Sequence, residues 1–437
     1  MENREIVVIG AGISGLTAAY YLKKAGHRVK VLEANQFPGG RMITIHWQGF
    51  RIDPGASFLT SKDHFVFKLL EELGIQDQVV SYKKDEVGFT VNIMRDNIQR
   101  SVNFMSLPSY LRWSGVSLAA RMSILKFLMH MMRYYKLDPY HPELLKGKDN
   151  VNMEDFFKRH VHQEMFDYWV QPTMDVMCSY LPSDYSEKML LLSYVNYLST
   201  KTISFKEGIG YLPDLLAAQL DVEYDAHVSN IDYNRPNSLT KITYKSSGIN
   251  KSIETDKVIV AITGDEVIDL FSDPQPAWKT FFPQVHYTSS AKLFMYLEGD
   301  EPALDHGGCF FPRKEPWKVA AVGWERQPDG RIRGMGALKA DYYRPEMTDN
   351  EFTDLVLKDA YRFEPALEGH IKDTMVYRWP QKVPAFRPGY LDALKVFKAD
   401  PQESPVYFCG DYLVMGSAGS ALASGQECAE RIINSLS

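Results

Sequence analysis

IVVIGAGISGLTAAYYLKKAGHRVKVLE, Ile6 to Glu33, decides how this chain is read. Four β-branched residues run into Gly10-Ala11-Gly12-Ile13-Ser14-Gly15, a helical pattern follows from about Leu16 to Ala25, and VKVLE supplies a second strand. Strand, glycine turn, helix and strand, in that order, form a seat for a dinucleotide diphosphate. Gly10 allows the tight turn out of the strand, Gly12 lets backbone approach the diphosphate, and Gly15 lets helix and strand pack closely. The helix start around Ser14 offers unpaired N–H groups and the positive end of the helix dipole. Glu33, about twenty residues beyond the glycines, is placed to accept hydrogen bonds from a ribose. Glycine turns between a strand and a helix also occur without a ligand, but here the strand, the helix and the acidic residue all accompany the motif.

Working outward, 437 residues are too many for one small core and suit two domains, and the 45% hydrophobic content is enough to fill both. A net charge of -6 gives no electrostatic reason to expect nucleic acid. Cys178, Cys309, Cys409 and Cys428 lie far apart without CxxC spacing, which argues against a metal site or a disulfide framework and fits a reducing cytoplasm. The apolar run at Ile6 is too short for a signal peptide, and no stretch approaches the roughly twenty apolar residues of a membrane span. A cytoplasmic protein is expected, with attachment to a membrane surface left open.

Further motifs narrow the ligand. Glu33-Ala34 is followed by Gly39-Gly40-Arg41, then by the turn Gly49 to Ala56 containing Asp53-Pro54-Gly55. Near the other end, Val406-Tyr407-Phe408-Cys409-Gly410-Asp411 precedes Gly416 to Gly425, which opens a last helix around Ala418. Together these resemble FAD enzymes of the flavin amine oxidase and protoporphyrinogen oxidase superfamily, over about a third of the chain. The resemblance implies an α/β fold: a Rossmann-type FAD-binding domain with an inserted α+β substrate-binding domain in two discontinuous segments. It places residues 1–62, 205–264 and 385–437 in the first domain and 63–204 and 265–384 in the second. It implies that Gly39 and Gly40 lie against the cofactor, that Arg41 reaches its phosphates, and that the backbone at Val228 faces adenine. Asp411 would bond the ribityl or phosphate region, and the helix beginning near Ala418 would aim its positive end at the pyrimidine side of the ring. The absence of a cysteine at Gly389-Tyr390 implies noncovalent FAD.

The inserted segments bear on the reaction. Val87 to Ile93 and Ile98 to Phe104 read as paired strands around Arg95-Asp96-Asn97. From Asn97 to Leu137 there is no Asp or Glu, while six Arg and Lys interrupt an apolar run. Its later part, Leu118 to Tyr135, suits either a helix lying on an anionic membrane surface or a core helix with a solvated basic face, the preferred reading. Ala291 to Leu297, Val319 to Trp324 and Met335 to Ala340 read as strands of a sheet forming the floor of a substrate cavity.

Ser289 to Tyr296 resembles the strand whose lysine, here Lys292, holds a water near flavin N5 in amine oxidases. Trp379 to Tyr390 resembles the protoporphyrinogen oxidase side of the superfamily. Tyr390 would supply one wall of the amine oxidases' aromatic cage, but Ser420 stands at the second wall. The reading preferred is transfer of a hydride from a C–N bond of an amine or amine-bearing metabolite to flavin N5, with reoxidation by oxygen. Dehydrogenation of a C–C or ring bond in a hydrophobic substrate and a flavin-bound isomerase or noncatalytic module stay open. The partner expected is a small, partly hydrophobic molecule, and the oligomeric state is left unspecified.

Overall fold

The computed structural model describes residues 5–81, 90–103, 106–197, 200–233, 239–400 and 404–436. Its organising element is a five-stranded, all-parallel sheet in the order Asp221–Glu223, Val29–Leu32, Ile6–Ile9, Val258–Val260, Val406–Phe408. Strands covered on both faces carry continuous apolar runs rather than an alternation, and Val7, Val8, Val258, Ile259 and Val260 are fully buried. The chain leaves Ile6–Ile9 toward Val29–Leu32 on one side and returns to Val258–Val260 on the other. The carboxyl ends of these strands therefore flank a topological switch point, the crevice where open α/β sheets take their ligands.

Two helices, Ile13–Lys24 and Ala418–Leu436, pack together beside this sheet. Their approach is closer than any side chain permits: a Cβ on Gly425 would stand 2.1 Å from the Ser14 carbonyl oxygen. Gly425→Ala is expected to force the helices apart and to cost about 2 kcal/mol, within the usual range for overpacking. Urea denaturation at unchanged slope measures this, and an undiminished midpoint would show that the helices yield freely.

The second sheet has seven strands, in the order Ile371–Trp379, Ser290–Leu297, Ile332–Leu338, Val319–Arg326, His306–Phe310, Thr90–Arg95, Ile98–Asn103. All neighbours are antiparallel except His306–Phe310 with Thr90–Arg95. The expected hairpin turns at Asp96 and Asn97, both with positive φ (54° and 58°) as a tight two-residue turn requires. Residues 87–89 and 104 of the expected strand pair lie outside the described residues. Side-chain alternation divides the sheet. Ala291, Leu293, Met295 and Leu297 bury against the helix Asp349–Phe363, which starts at a capping box between Thr348 and Glu351. Phe294 and Tyr296 face the hairpin of Ile45–Trp47 and Phe50–Ile52 that follows Arg41, and Lys292 shares their parity.

Helices between residues 107 and 197 make a third body. A 3-10 turn over Pro182–Asp184 precedes the helix that begins at Glu187. Pro172 does not break its helix: a π turn over Phe166–Val170 precedes it and the helix continues through Gln171–Cys178. The wider turn accommodates the missing N–H. In Leu118–Met131 the buried side is Ala120, Ile124, Phe127 and Met131. The opposite side is not the expected basic face but a largely apolar one, carrying Leu118, Met122, Leu125 and Met129.

Chain crossings tie the bodies together. Leu59–Thr60 and Val79–Ser81 both pair with Thr202–Phe205. The helix Tyr390–Ala399, expected within the cofactor-binding segment 385–437, packs against Pro276–Phe281 and Pro142–Leu144. Its buried side of Tyr390, Leu391, Leu394 and Phe397 explains why, with Phe397 stacked on Phe281 at 4.6 Å.

Candidate cofactor and active site

At the switch point Gly10 has φ +102°, and a Cβ there would lie 2.9 Å from the Ala261 carbonyl oxygen. Ala11 accepts a hydrogen bond from Gly39 N at 2.8 Å, Gly12 and Gly39 form a parallel bridge, and Gly40 lies beside Gly12. The two glycine turns thus form one cradle. A Cβ on Gly12 would meet nothing within 4 Å, and the helix starting at Ile13 has no side-chain cap. Open space beside uncapped backbone N–H groups is what a diphosphate requires, so the cradle fits a dinucleotide.

Glu33 is buried at the rim. Its Oε2 accepts from Ala11 N at 2.6 Å, and Oε1 accepts from Asn35 N and Nδ2, each at 2.8 Å. A carboxylate has about four acceptor sites, so Glu33 braces the turn and retains capacity for a ribose hydroxyl. Ala34 follows half-buried, and the backbone continues to Val228's strand through Ala226 N, which donates to the Glu33 carbonyl at 2.8 Å. Val228 is half-buried beside a bulge in that strand. Ser14 is buried with its hydroxyl at the Cys409 thiol, while Gly15 packs against Gly10.

The sequence expectation gave Arg41 and Asp411 separate contacts with the cofactor. In the structure they pair with each other, Nη1 to Oδ2 at 2.8 Å and Nη2 to Oδ1 at 2.9 Å. Arg41 Nη1 also donates to the Lys382 carbonyl at 3.2 Å, and its guanidinium lies 5.1 Å from the Tyr287 ring. The Tyr287 hydroxyl donates to Asp411 Oδ1 at 3.4 Å and accepts from Gly264 N at 3.1 Å. A largely buried guanidinium requires a carboxylate, and a planar fork matches one best. The result is a clasp between the two ends of the chain, with Gly410 preceding it and Ala418 opening the final helix just beyond.

Lys292 stands on the strand Ser290–Leu297, opposite Tyr377. Trp379 is opposite Ser290, its ring 5.1 Å from that of Tyr377 and its Nε1 donating to the Pro54 carbonyl at 3.0 Å. Among the described residues the Lys292 ammonium has no hydrogen bond or ion pair. Burial, reinforced by the Lys382 ammonium and opposed by Asp53, lowers its pKa to about 7. Asp53 accepts from Thr44 Oγ1 at 2.7 Å and Ile209 N at 3.2 Å, and burial raises its own pKa. Lys382 Nζ donates to Ser179 Oγ at 3.0 Å and the Val176 carbonyl at 3.2 Å, with burial lowering its pKa to about 8.

Tyr390, expected as a cage wall, lies in the core. It is 2% exposed, its hydroxyl donates to the Tyr412 carbonyl at 2.7 Å, and Phe281 and Phe386 pack its ring. The aromatic pair beside Lys292 is Tyr377 and Trp379. Sequence reading missed Tyr287, Tyr377 and Lys382. The pairing register of Lys292's strand would have located Tyr377, whereas Tyr287 and Lys382 carried no local signal.

A parallel sheet with a glycine cradle at its switch point and a half-buried lysine on a second sheet is the arrangement of a flavin-dependent oxidoreductase. The family described as flavin containing amine oxidoreductase matches residues 13–433, and the chain belongs to it. It is 22% identical to protoporphyrinogen oxidase 2, chloroplastic/mitochondrial, of Arabidopsis thaliana over 100% of this chain and 95% of that one. It is 25% identical to the L-amino acid oxidase bordonein-L of Crotalus durissus terrificus over 67% of this chain and 57% of that one. Putrescine oxidase bound to putrescine shares the fold with a TM-score of 0.76 at 19% identity, covering 99% of both chains. The cofactor is FAD.

Proposed function

We propose that the enzyme oxidises a C–N bond of an amine or amine-bearing metabolite. The observation that carries this is Lys292, an unpaired lysine on the sheet face turned toward the Arg41 hairpin, with a pKa near 7. FAD, when bound, would supply the hydride acceptor, with oxygen as the final oxidant. An amine that is substantially neutral at neutral pH can hold a water or receive a proton, which a permanently charged lysine cannot do as a base. Tyr377 and Trp379 provide an apolar flank for the substrate, and Trp379 is fixed by its bond to Pro54. Arg41 and Asp411 neutralise each other rather than offering a free charge to the substrate.

One observation favours a second reading, dehydrogenation of a C–C or ring bond as in porphyrinogen oxidation. Tyr390 is withdrawn into the core, so that wall of an amine cage is missing, and the full-length likeness to a protoporphyrinogen oxidase agrees with this. Anaerobic mixing of the holoenzyme with a panel of primary and secondary amines, and separately with porphyrinogens, distinguishes the two. Bleaching of the flavin absorbance is expected with an amine; bleaching by porphyrinogens alone would replace the amine reading with the second.

A further inference from the structure

The final helix, Ala418–Leu436, runs back along the strand Val406–Phe408. Arg431 Nη2 donates to the Phe408 carbonyl at 3.4 Å, whereas Ser424 Oγ, nearer the helix start, accepts from Gly410 N at 3.0 Å. The first turn therefore projects past the carboxyl ends of the parallel strands, toward the crevice that takes a ligand. Gly416, just before it, lies beside Pro384 and Val383, next to the Lys382 carbonyl that receives Arg41. Unpaired N–H groups at such a helix start carry partial positive charge.

Asp63 lies against this turn. It is 3% exposed and immediately precedes the helix His64–Leu73, where an aspartate ordinarily caps its own helix, yet it makes no such cap. Its carboxylate turns instead to accept from Thr60 N at 2.7 Å and from the Tyr140 hydroxyl at 3.3 Å. A Cβ on Gly419 would stand 2.5 Å from the carboxyl carbon of Asp63 and 2.6 and 2.7 Å from its oxygens, so the carboxylate rests on the backbone of the final helix's first turn. Among the described residues no Lys, Arg or His forms an ion pair with it. A buried charge requires compensation, and burial raises the Asp63 pKa. Two hydrogen bonds supply part of that compensation, and the positive end of Ala418–Leu436 supplies the rest.

We propose that Asp63 sets the reduction potential of the bound FAD: its carboxylate cancels part of the positive end of the final helix, which would otherwise favour the more negative, reduced form of the cofactor. Asp63 forms and breaks no bond in this role and acts through the field at the helix start. The inference rests on the FAD assignment and not on the substrate, because a potential is read without one.

The test is a dye-equilibrated reductive titration of the FAD-loaded enzyme. Asp63→Asn keeps the shape and an oxygen acceptor for Thr60 N while removing the charge. It should favour the reduced form about tenfold, a rise of about 30 mV for a two-electron couple. Tyr140→Phe removes a bond to the carboxylate but keeps its charge, and it should not raise the potential. If Asp63→Asn loses FAD, Asp63→Ser, neutral and still able to accept from Thr60 N, carries the same expectation. An unchanged or lowered potential in the neutral variants overturns the proposal. So does an equal rise in Tyr140→Phe, which would assign the effect to loosened packing. Failure of both neutral variants to retain FAD also overturns it and would leave Asp63 as a structural anchor of the final helix.

Discussion

Asp411→Ala is expected to destabilise the protein by about 3 kcal/mol and to loosen its hold on FAD. The carboxylate receives both Nη groups of Arg41, and the Arg41 side chain is only 27% exposed. Deleting one partner of a buried pair strands the other, at about 3–5 kcal/mol when burial is complete. Arg41 retains the Lys382 carbonyl, the Tyr287 ring and some water, so the lower end of that range applies. Replacing both partners by apolar residues removes the stranded charge, and Arg41→Met with Asp411→Leu should therefore be more stable than Asp411→Ala alone. Urea unfolding of apo and FAD-loaded forms measures the coupling. FAD retention should fall because the clasp joins the residue after the second glycine turn to the segment preceding the final helix. A loss of less than about 0.5 kcal/mol in the single variant would show that the clasp does not hold the two ends of the chain together.

The clasp also marks where sequence reading stops. Gly10, Gly12, Gly15 and the strands around them were legible because their requirements are local: a positive φ, a close approach and a continuous apolar run each leave a residue type at a fixed spacing. Five strands of the second sheet were legible through alternation, whereas His306–Phe310 and Ile371–Trp379 were not read as strands. The Arg41–Asp411 pair spans 370 residues, and nothing in either segment names the other. Tyr390 illustrates the converse error. Its motif position suggested a cavity wall, yet Phe281, from a distant segment, and Phe386 enclose it. In Leu118–Met131 the periodicity failed for a third reason. With apolar residues on both sides, the pattern cannot distinguish the face that meets protein from the face that does not.

Lys292→Met is expected to slow the redox half-reaction that uses this amine about a hundredfold, the lower part of the range for positioned proton transfer. The pH profile carries the stronger test. Burial lowers the Lys292 pKa from its usual 10.5 to about 7, so the neutral amine predominates only above that value. The rate should rise through a limb near pH 7, and Lys292→Met should lack that limb. Lys382→Met removes a cation that disfavours protonation of Lys292, and the limb should move to higher pH; Asp53→Asn removes the opposing carboxylate, and it should move lower. Stability follows the same sign. Between about pH 7 and 10.5 the unfolded chain binds the proton that the folded chain has released, so the lysine's penalty is full below 7 and fades as pH rises toward 10.5. Relative to Lys292→Met, the unaltered enzyme should therefore gain stability across that interval in denaturant titrations. Opposite displacements by Lys382→Met and Asp53→Asn would place the titrating group at Lys292, because a general structural defect has no reason to move one limb in two directions. An unchanged limb in all three variants would remove Lys292 from the reaction and leave it as a half-buried cation of the sheet.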